Sequence, residues 1–200
     1  MSKHMRMAGL ALGVAALGAL GSVANATADL SVSPVTQTIA PGKDFSVDVN
    51  ISNVSDLYGY QFDLTFNPKL VEALSSSEGS FLTKGGSTYF IPGSIDNTGG
   101  IVGATADSLL SATPGVTGSG TLAVFTFEAL KAGVSPIGLS GVTLLDSSLN
   151  TISSTTTGGS ITIKSGGGVM APEIDPASAA SGLTLLVGSV IVLRGRRLGQ

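Results

Sequence analysis

The groups in this chain that could do chemistry are its carboxylates, and the first question is whether two of them work as a pair. Eleven Asp and Glu residues lie between residues 27 and 170, and Asp63, Glu72, Asp107 and Glu128 fall in stretches that read as strands. Two carboxyl groups roughly 5 to 10 Å apart can cleave a glycosidic bond, one as acid and the other as nucleophile or base. Eleven acids in such a length make chance pairs ordinary, however. A sugar cleft also needs aromatic platforms, and the chain has no Trp and only Tyr58, Tyr60 and Tyr89 as tyrosines. The other catalytic sets are missing outright. There is no Cys, and the single His, His4, lies in an N-terminal segment expected to be removed. Ser-His-Asp and Cys-His machinery and the usual zinc and copper ligands are therefore unavailable to the mature domain. Calcium would need carboxylates and loop carbonyls such as those at Asp96 and Asn97. Without EF-hand-like spacing, that loop reads instead as a hydrogen-bonded Asx turn. None of the Gly-rich turns carries the Gly-Lys-Ser/Thr of a phosphate-binding loop. The expectation is a non-enzymatic protein with no cofactor and no metal.

Charge narrows the partners further. Against the eleven carboxylates stand five lysines and no Arg between residues 27 and 170, which leaves that region six charges negative. Binding to a phosphate backbone needs the opposite sign, so nucleic acid is not expected as a partner. The mean hydropathy of +0.44 comes largely from the two ends of the chain. What remains between them, about 135 residues, is enough to bury a core without disulfides.

Both ends read as export signals. Residues 1–28 have the three parts of a secretory signal peptide: Lys3 and Arg6, an apolar run from Met7 to Leu20, and overlapping Ala24-Asn25-Ala26 and Ala26-Thr27-Ala28 sites. The mature chain then begins at Thr27 or at Asp29. At the other end, residues 165–176 form a linker that starts with Gly166 to Gly168 and runs into Pro172-Glu173-Ile174-Asp175-Pro176. An apolar stretch over 177–193, about seventeen residues and the lower limit for a membrane span, follows. It stops at Arg194, Arg196 and Arg197 in a basic tail, 194–200, which the positive-inside tendency leaves in the cytoplasm. This tail resembles the PEP-CTERM class of sorting signals read by membrane proteases of the exosortase family. It differs in splitting the usual contiguous Pro-Glu-Pro by Ile174-Asp175. The simpler reading is a plain C-terminal anchor. Under either, the protein passes through an inner-membrane intermediate with its globular part facing away from the cytoplasm, on the way to the envelope, surface or extracellular matrix.

Between the signals, apolar residues repeat with period two, the spacing of strands with one buried face. Phe45, Val47, Val49 and Ile51 alternate with Ser46, Asp48, Asn50 and Ser52. Tyr58, Tyr60, Phe62, Leu64 and Phe66 alternate with Gly59, Gln61, Asp63 and Thr65, bounded by turns at Asn53 to Asp56 and at Asn67-Pro68. Further strands are expected near Leu70 to Leu74, Ser87 to Ile91, Ile101 to Ser108, Thr121 to Ala129, Ser135 to Leu145 and Ser160 to Lys164, giving roughly nine in a two-layer β-sandwich.

The order of these segments carries a resemblance. Val32-Ser33-Pro34, Pro41-Gly42 before Phe45 to Val49, the run from Leu57 to Pro68, Leu70 to Ala73, Gly79-Ser80-Phe81-Leu82, and Gly118 to Phe127 are similar, in sequence and spacing, to cohesin domains. The resemblance covers 29–164 and implies an all-β, nine-stranded jelly-roll sandwich, flanked by the N-terminal signal helix and the C-terminal transmembrane helix. It implies a protein that binds a dockerin-like or other extracellular partner through one sheet face. On that likeness Gly59, Gln61, Asp63 and Thr65 line a strand of the binding face. The cellulosomal pattern commonly has Asn and Asp at two contact positions of that strand, where this chain has Gly59 and Gln61. Two other classes stay open. One is a polysaccharide-binding module of the envelope or exopolysaccharide matrix, with Tyr89 as its exposed aromatic. The other is a passive coat component whose strand face meets only solvent.

Overall fold

The alternation that dominates the sequence becomes a single strand of 22 residues, Asp44–Thr65, around which the other strands assemble. The computed structural model describes residues 27–111 and 114–165. In chain order the strands are β1 (Ala28–Ser33), β2 (Thr36–Ile39), β3 (Asp44–Thr65), β4 (Val71–Glu78), β5 (Ser94–Asp96), β6 (Ile101–Ser108), β7 (Val116–Ala129), β8 (Gly133–Asp146), β9 (Ser154–Thr157) and β10 (Gly159–Ile163), with one 3-10 turn at Leu82–Gly85. Among the described residues these are ten strands where nine were expected. β2, β5 and β9 are three or four residues long and bury no side chain fully, so they lack the extended alternation that marks the long strands.

β3 belongs to both layers of the sandwich. Its first half pairs with β1 and β7, and with β9 and β4 outside these it forms the sheet β9-β1-β3-β7-β4. Its second half pairs with β8 and β6, in the sheet β2-β10-β8-β3-β6-β5. The crossing lies where Asn53 and Asp56 take φ values of 57° and 60°. Asn and Asp tolerate this left-handed conformation better than other side chains, so two such residues three apart bend the strand without ending it. The turn expected at Asn53 to Asp56 is thus a kink within a continuous strand. Asp56 fixes it: its carboxylate accepts the N–H of Gly115 at 2.6 Å and the N–H and hydroxyl of Ser147 at 3.2 and 2.6 Å. These donors hold the Asp56 carboxyl below the ordinary carboxylate range.

Between the layers lies one core, built from the inward positions of every long strand. Val47, Val49 and Ile51 from one half of β3 and Leu57, Phe62 and Leu64 from the other are fully buried. Aromatic rings link the sheets' strands: Phe45 stacks on Phe127 at 5.6 Å, Phe66 meets Phe127 edge-on at 5.2 Å, and Phe62 meets Phe125 edge-on at 6.1 Å. Tyr58 departs from the expected alternation. Leu57 takes the buried position, the register against β8 shifts between Leu57 and Gly59, and Tyr58 is half-buried with its hydroxyl donating to the Ser111 carbonyl. Tyr60 is buried, and its hydroxyl donates to the Leu122 carbonyl at 2.6 Å. The segment Ser87 to Ile91, expected as a strand, makes only isolated bridges, at Ile91 with Ala106 of β6 and at Thr88 with Leu109 just beyond it. Among the described residues no helix is long and apolar enough to cross a membrane; the expected signal peptide and the span over 177–193 lie outside those residues.

Candidate binding face

The second half of β3 runs between β6 and β8, so its outward residues sit in the middle of a sheet face. Gly59 is opposite Ser108 on one side and Leu145 on the other. Gln61 is opposite Ala106 and Thr143, and Thr65 is opposite Ile101 and Gly138. Asp63 is opposite Ser140 on β8. The four residues expected to share a face therefore do share it, but their environments differ sharply.

Gln61 is exposed, with no intramolecular task visible in the surrounding hydrogen bonds. Asp63 is committed. The register of β6 slips between Phe62 and Leu64, leaving Ala104 in a left-handed conformation at φ 55°, and Asp63 Oδ1 accepts the Ala104 N–H at 2.7 Å. On the other flank the β8 register slips beside Asp63 as well, with Gly141 at φ 61°. A Cβ at Gly141 would lie 2.9 Å from Asp63 Oδ2. Asp63 thus sits between two bulges and holds one of them, a structural duty that its place on an outward strand position did not disclose.

Gly59 matters by what it lacks. It is buried at the floor of a hollow of about 270 Å³ whose lining includes Tyr89, Ile91, Ala106, Thr143 and Leu145, with Gln61 beside it. Tyr89 is 62% exposed and Ile91 44% exposed. A side chain at position 59 would occupy this hollow, its Cβ already 3.2 Å from the Asp107 carbonyl. The recess is therefore made by a glycine in the centre, small or apolar residues on the flanking strands, and two large apolar side chains on the segment that bridges to β6. Of these, Tyr89 carried a visible signal as an exposed aromatic. Ala106, Thr143 and Leu145 carried none, because only strand pairing brings them to Gly59.

Other features of the molecule do not compete as sites. A larger cleft, about 410 Å³, is lined by Ser55, Asp56, Asp146 and Asn150. Its carboxylates are already engaged, Asp56 as described and Asp146 by the amides of Ser148 and Asn150 and the Asn150 side chain. The Asp96 loop forms the Asx turn expected of it: the Asp96 carboxylate accepts the N–H groups of Thr98 and Gly99 at 2.8 and 2.9 Å, which lowers its pKa. The Asn97 side chain pairs with both backbone groups of Ala73 at 2.8 and 3.0 Å. Among the described residues no three acidic groups converge as metal ligands. The sorting motif Pro172 to Pro176 and the arginines Arg194, Arg196 and Arg197 lie outside the described residues.

The fold and its parts have clear relatives. The cohesin domain profile matches residues 29–163. A non-cellulosomal cohesin from the hyperthermophilic archaeon Archaeoglobus fulgidus superposes with a TM-score of 0.54 at 19% identity, over 70% of this chain and 93% of the other. The cohesin of a type I cohesin–dockerin complex from Clostridium thermocellum gives 0.57 at 18% identity, over 69% and 99%. The sixth cohesin of scaffoldin B from Acetivibrio cellulolyticus, solved with the Cel5 dockerin, gives 0.56 at 21% identity, over 69% and 99%. No curated protein is significantly similar in sequence. With its sandwich topology, and with a family match across nearly all of the described residues, the chain belongs to the cohesin family of non-catalytic adhesion modules.

Proposed function

We propose that the chain is an exported cell-surface or extracellular module that binds a dockerin-type protein through the outer face of β8, β3 and β6. The observation that carries this reading is the recess over Gly59. Exposed apolar side chains around a hollow, within a face that otherwise offers hydroxyls, one amide and the half-buried Asp63 carboxylate, are the arrangement into which a partner's anchoring side chain fits. Clostridium thermocellum and Acetivibrio cellulolyticus cohesins of the same fold occur in complexes with dockerins, which supports this class of partner. Gly59 and Gln61 stand where the cellulosomal pattern commonly carries Asn and Asp, so the partner meets an apolar hollow flanked by a neutral amide. A dockerin that inserts an aliphatic or aromatic side chain there satisfies both features. Gly59, Gln61 and Thr65 contact the partner on this reading, while Asp63 shapes the strand edges around them.

Delivery to that partner rests on the chain ends: the signal peptide 1–28, then the linker and motif 165–176, the span 177–193 and the basic stop 194–200, with an exosortase-type protease reading Pro172 to Pro176. The test has two arms. The protein, used as bait against the secreted proteins of its source organism, captures a dockerin-bearing protein, and Ala106→Arg abolishes the capture. Retention of polysaccharide alone, abolished by Tyr89→Ala, replaces this reading with the glycan-binding one. Mass analysis of the mature protein finds the tail lost near Pro172 to Ala179; a C-terminus at Gln200 makes the tail a plain anchor.

A further inference from the structure

The inner side of β6, directly behind the recess, holds a group that the binding face does not use. Strand alternation demands an apolar residue at position 107, since Val102 and Thr105 occupy the preceding inward positions, yet the residue is Asp107. It is 3% exposed, and no donor among the described residues reaches either carboxylate oxygen in good hydrogen-bonding geometry. A buried carboxylate left in this state is costly, and the group lowers that cost by holding a proton.

The acceptor for such a proton comes from the other sheet. Glu78, at the end of the edge strand β4, is brought to Asp107 through Thr88, which donates to Glu78 and bridges to Leu109 two residues beyond Asp107, and its carboxyl raises the Asp107 pKa by charge and by hydrogen bonding. Its Oε1 accepts the Thr88 hydroxyl at 2.5 Å. Backbone geometry holds the three elements together at this corner. Asp107 is registered opposite Tyr60, the Tyr60 hydroxyl donates to the Leu122 carbonyl, and the same carbonyl accepts the Gly79 N–H at 2.8 Å, one residue beyond Glu78. The charged and titratable groups acting here are thus Asp107 from β6, Glu78 from β4 and Tyr60 from β3, and none is basic.

We infer that Asp107 and Glu78 share one proton, the Asp107 hydroxyl donating to the Glu78 carboxylate, and that this proton is a pH-sensitive latch joining the two sheets behind the recess. The inference needs no partner protein and stands whether or not the face binds a dockerin. Burial and the neighbouring Glu78 carboxyl push the Asp107 carboxyl up to about 7, while the Ser108 amide offsets this slightly. Its folded value lies above the unfolded one, 3.8. The stabilisation is therefore complete in acid and lost as the pH rises through about 7, leaving two facing negative charges. Tyr60 gives no relief, since burial and the two carboxyl groups push its own titration higher still. Ala106 and Ser108, the recess residues on either side of Asp107 in sequence, report the change.

The full chain is unfolded by denaturant at a series of pH values from about 5 to 9, alongside Asp107→Asn and Glu78→Gln, without added metal. One released proton lowers the folding equilibrium constant about tenfold per pH unit once the unfolded Asp has ionised, until the folded group ionises too. The wild type is expected to weaken with this slope from about pH 5 to 7, Asp107→Asn to be flat there, and Glu78→Gln to weaken over a narrower range that ends at lower pH, because burial alone still raises Asp107. In the wild type, the amide nitrogen and proton shifts of Ala106 and Ser108 inflect together near pH 7, a readout that holds even if Asp107→Asn does not fold. Wild-type stability that is flat or rising over this range, or amide shifts without a neutral inflection, overturns the latch. So does a rise in stability at about pH 8.5 on adding calcium alone, reversed by chelator, because a cation would then hold the two carboxylates.

Discussion

Replacing Asp63 by Ala tests whether an outward acidic residue in the middle of the binding face is there for a partner or for the sheet. In the structure, its Oδ1 accepts the Ala104 N–H at 2.7 Å, and Ala104 is held at φ 55°. A hydrogen bond to a charged group contributes about 1.5 to 3 kcal/mol, and the lower end applies because Asp63 is half-buried and partly screened by water. Loss of the bond also removes what restrains Ala104 in a conformation disfavoured by about 1 to 2 kcal/mol, so part of the cost is recovered as the bulge relaxes. The net expectation for Asp63→Ala is a loss of about 1 kcal/mol, which in a domain of this size lowers the melting temperature by about 3 to 5 °C. Ala104→Gly provides the complementary test. Glycine takes positive φ without penalty, so this change, which in an ordinary strand destabilises, is expected to stabilise by about 0.5 to 1 kcal/mol. The assay is calorimetry or denaturant unfolding of both single variants and the double variant. A melting temperature for Asp63→Ala within a degree of the wild type, or an Ala104→Gly variant weakened like a normal strand glycine, refutes the structural assignment of Asp63.

The other predictions follow from close approaches and from the recess. Ala106→Arg fills the hollow over Gly59, and affinity for the captured partner falls at least tenfold, about 1.4 kcal/mol by titration calorimetry, with the melting temperature little changed. Gly79→Ala brings a Cβ into the Thr121 carbonyl, a backbone group that cannot step aside, and costs about 3 kcal/mol or more in denaturant unfolding. Gly141→Ala combines a positive φ with a Cβ 2.9 Å from Asp63 Oδ2 and costs about 2 kcal/mol, less when Asp63 is already Ala. On the acid side, Asp56 has a lowered folded pKa, so its contribution is present above the unfolded value of 3.8 and is lost as the pH falls through the folded one. Asp56→Asn is therefore expected to reduce the acid sensitivity of unfolding below about pH 4 while weakening the protein at pH 6.

Much of this molecule was legible from residue types and their order. The alternation at Phe45 to Ile51 and at Phe62 to Phe66 specifies strands with one buried face, because side chains in a strand point to opposite sides in turn. The absence of Cys and of any His besides His4 removes thiol and imidazole catalytic sets and the usual zinc and copper ligands before any fold is known. The ordered segments from Val32 to Phe127 carry the family. Even the outward set Gly59, Gln61, Asp63 and Thr65 follows from parity alone.

Tertiary structure decided what those residues do. Parity could not tell that the kink at Asn53 and Asp56 sends one strand through both sheets, or that the bulge after Leu57 lifts Tyr58 half out of the core. It could not separate Gln61, free at the surface, from Asp63, held between bulges on two neighbouring strands. The recess draws on residues from 59 to 145, and the pair Asp107 and Glu78 comes from opposite sheets. A strand's own sequence sets which face each side chain takes. Which side chains lie across from it depends on pairings dozens of residues away, and the energy that selects those pairings is the burial of a core shared by the whole domain.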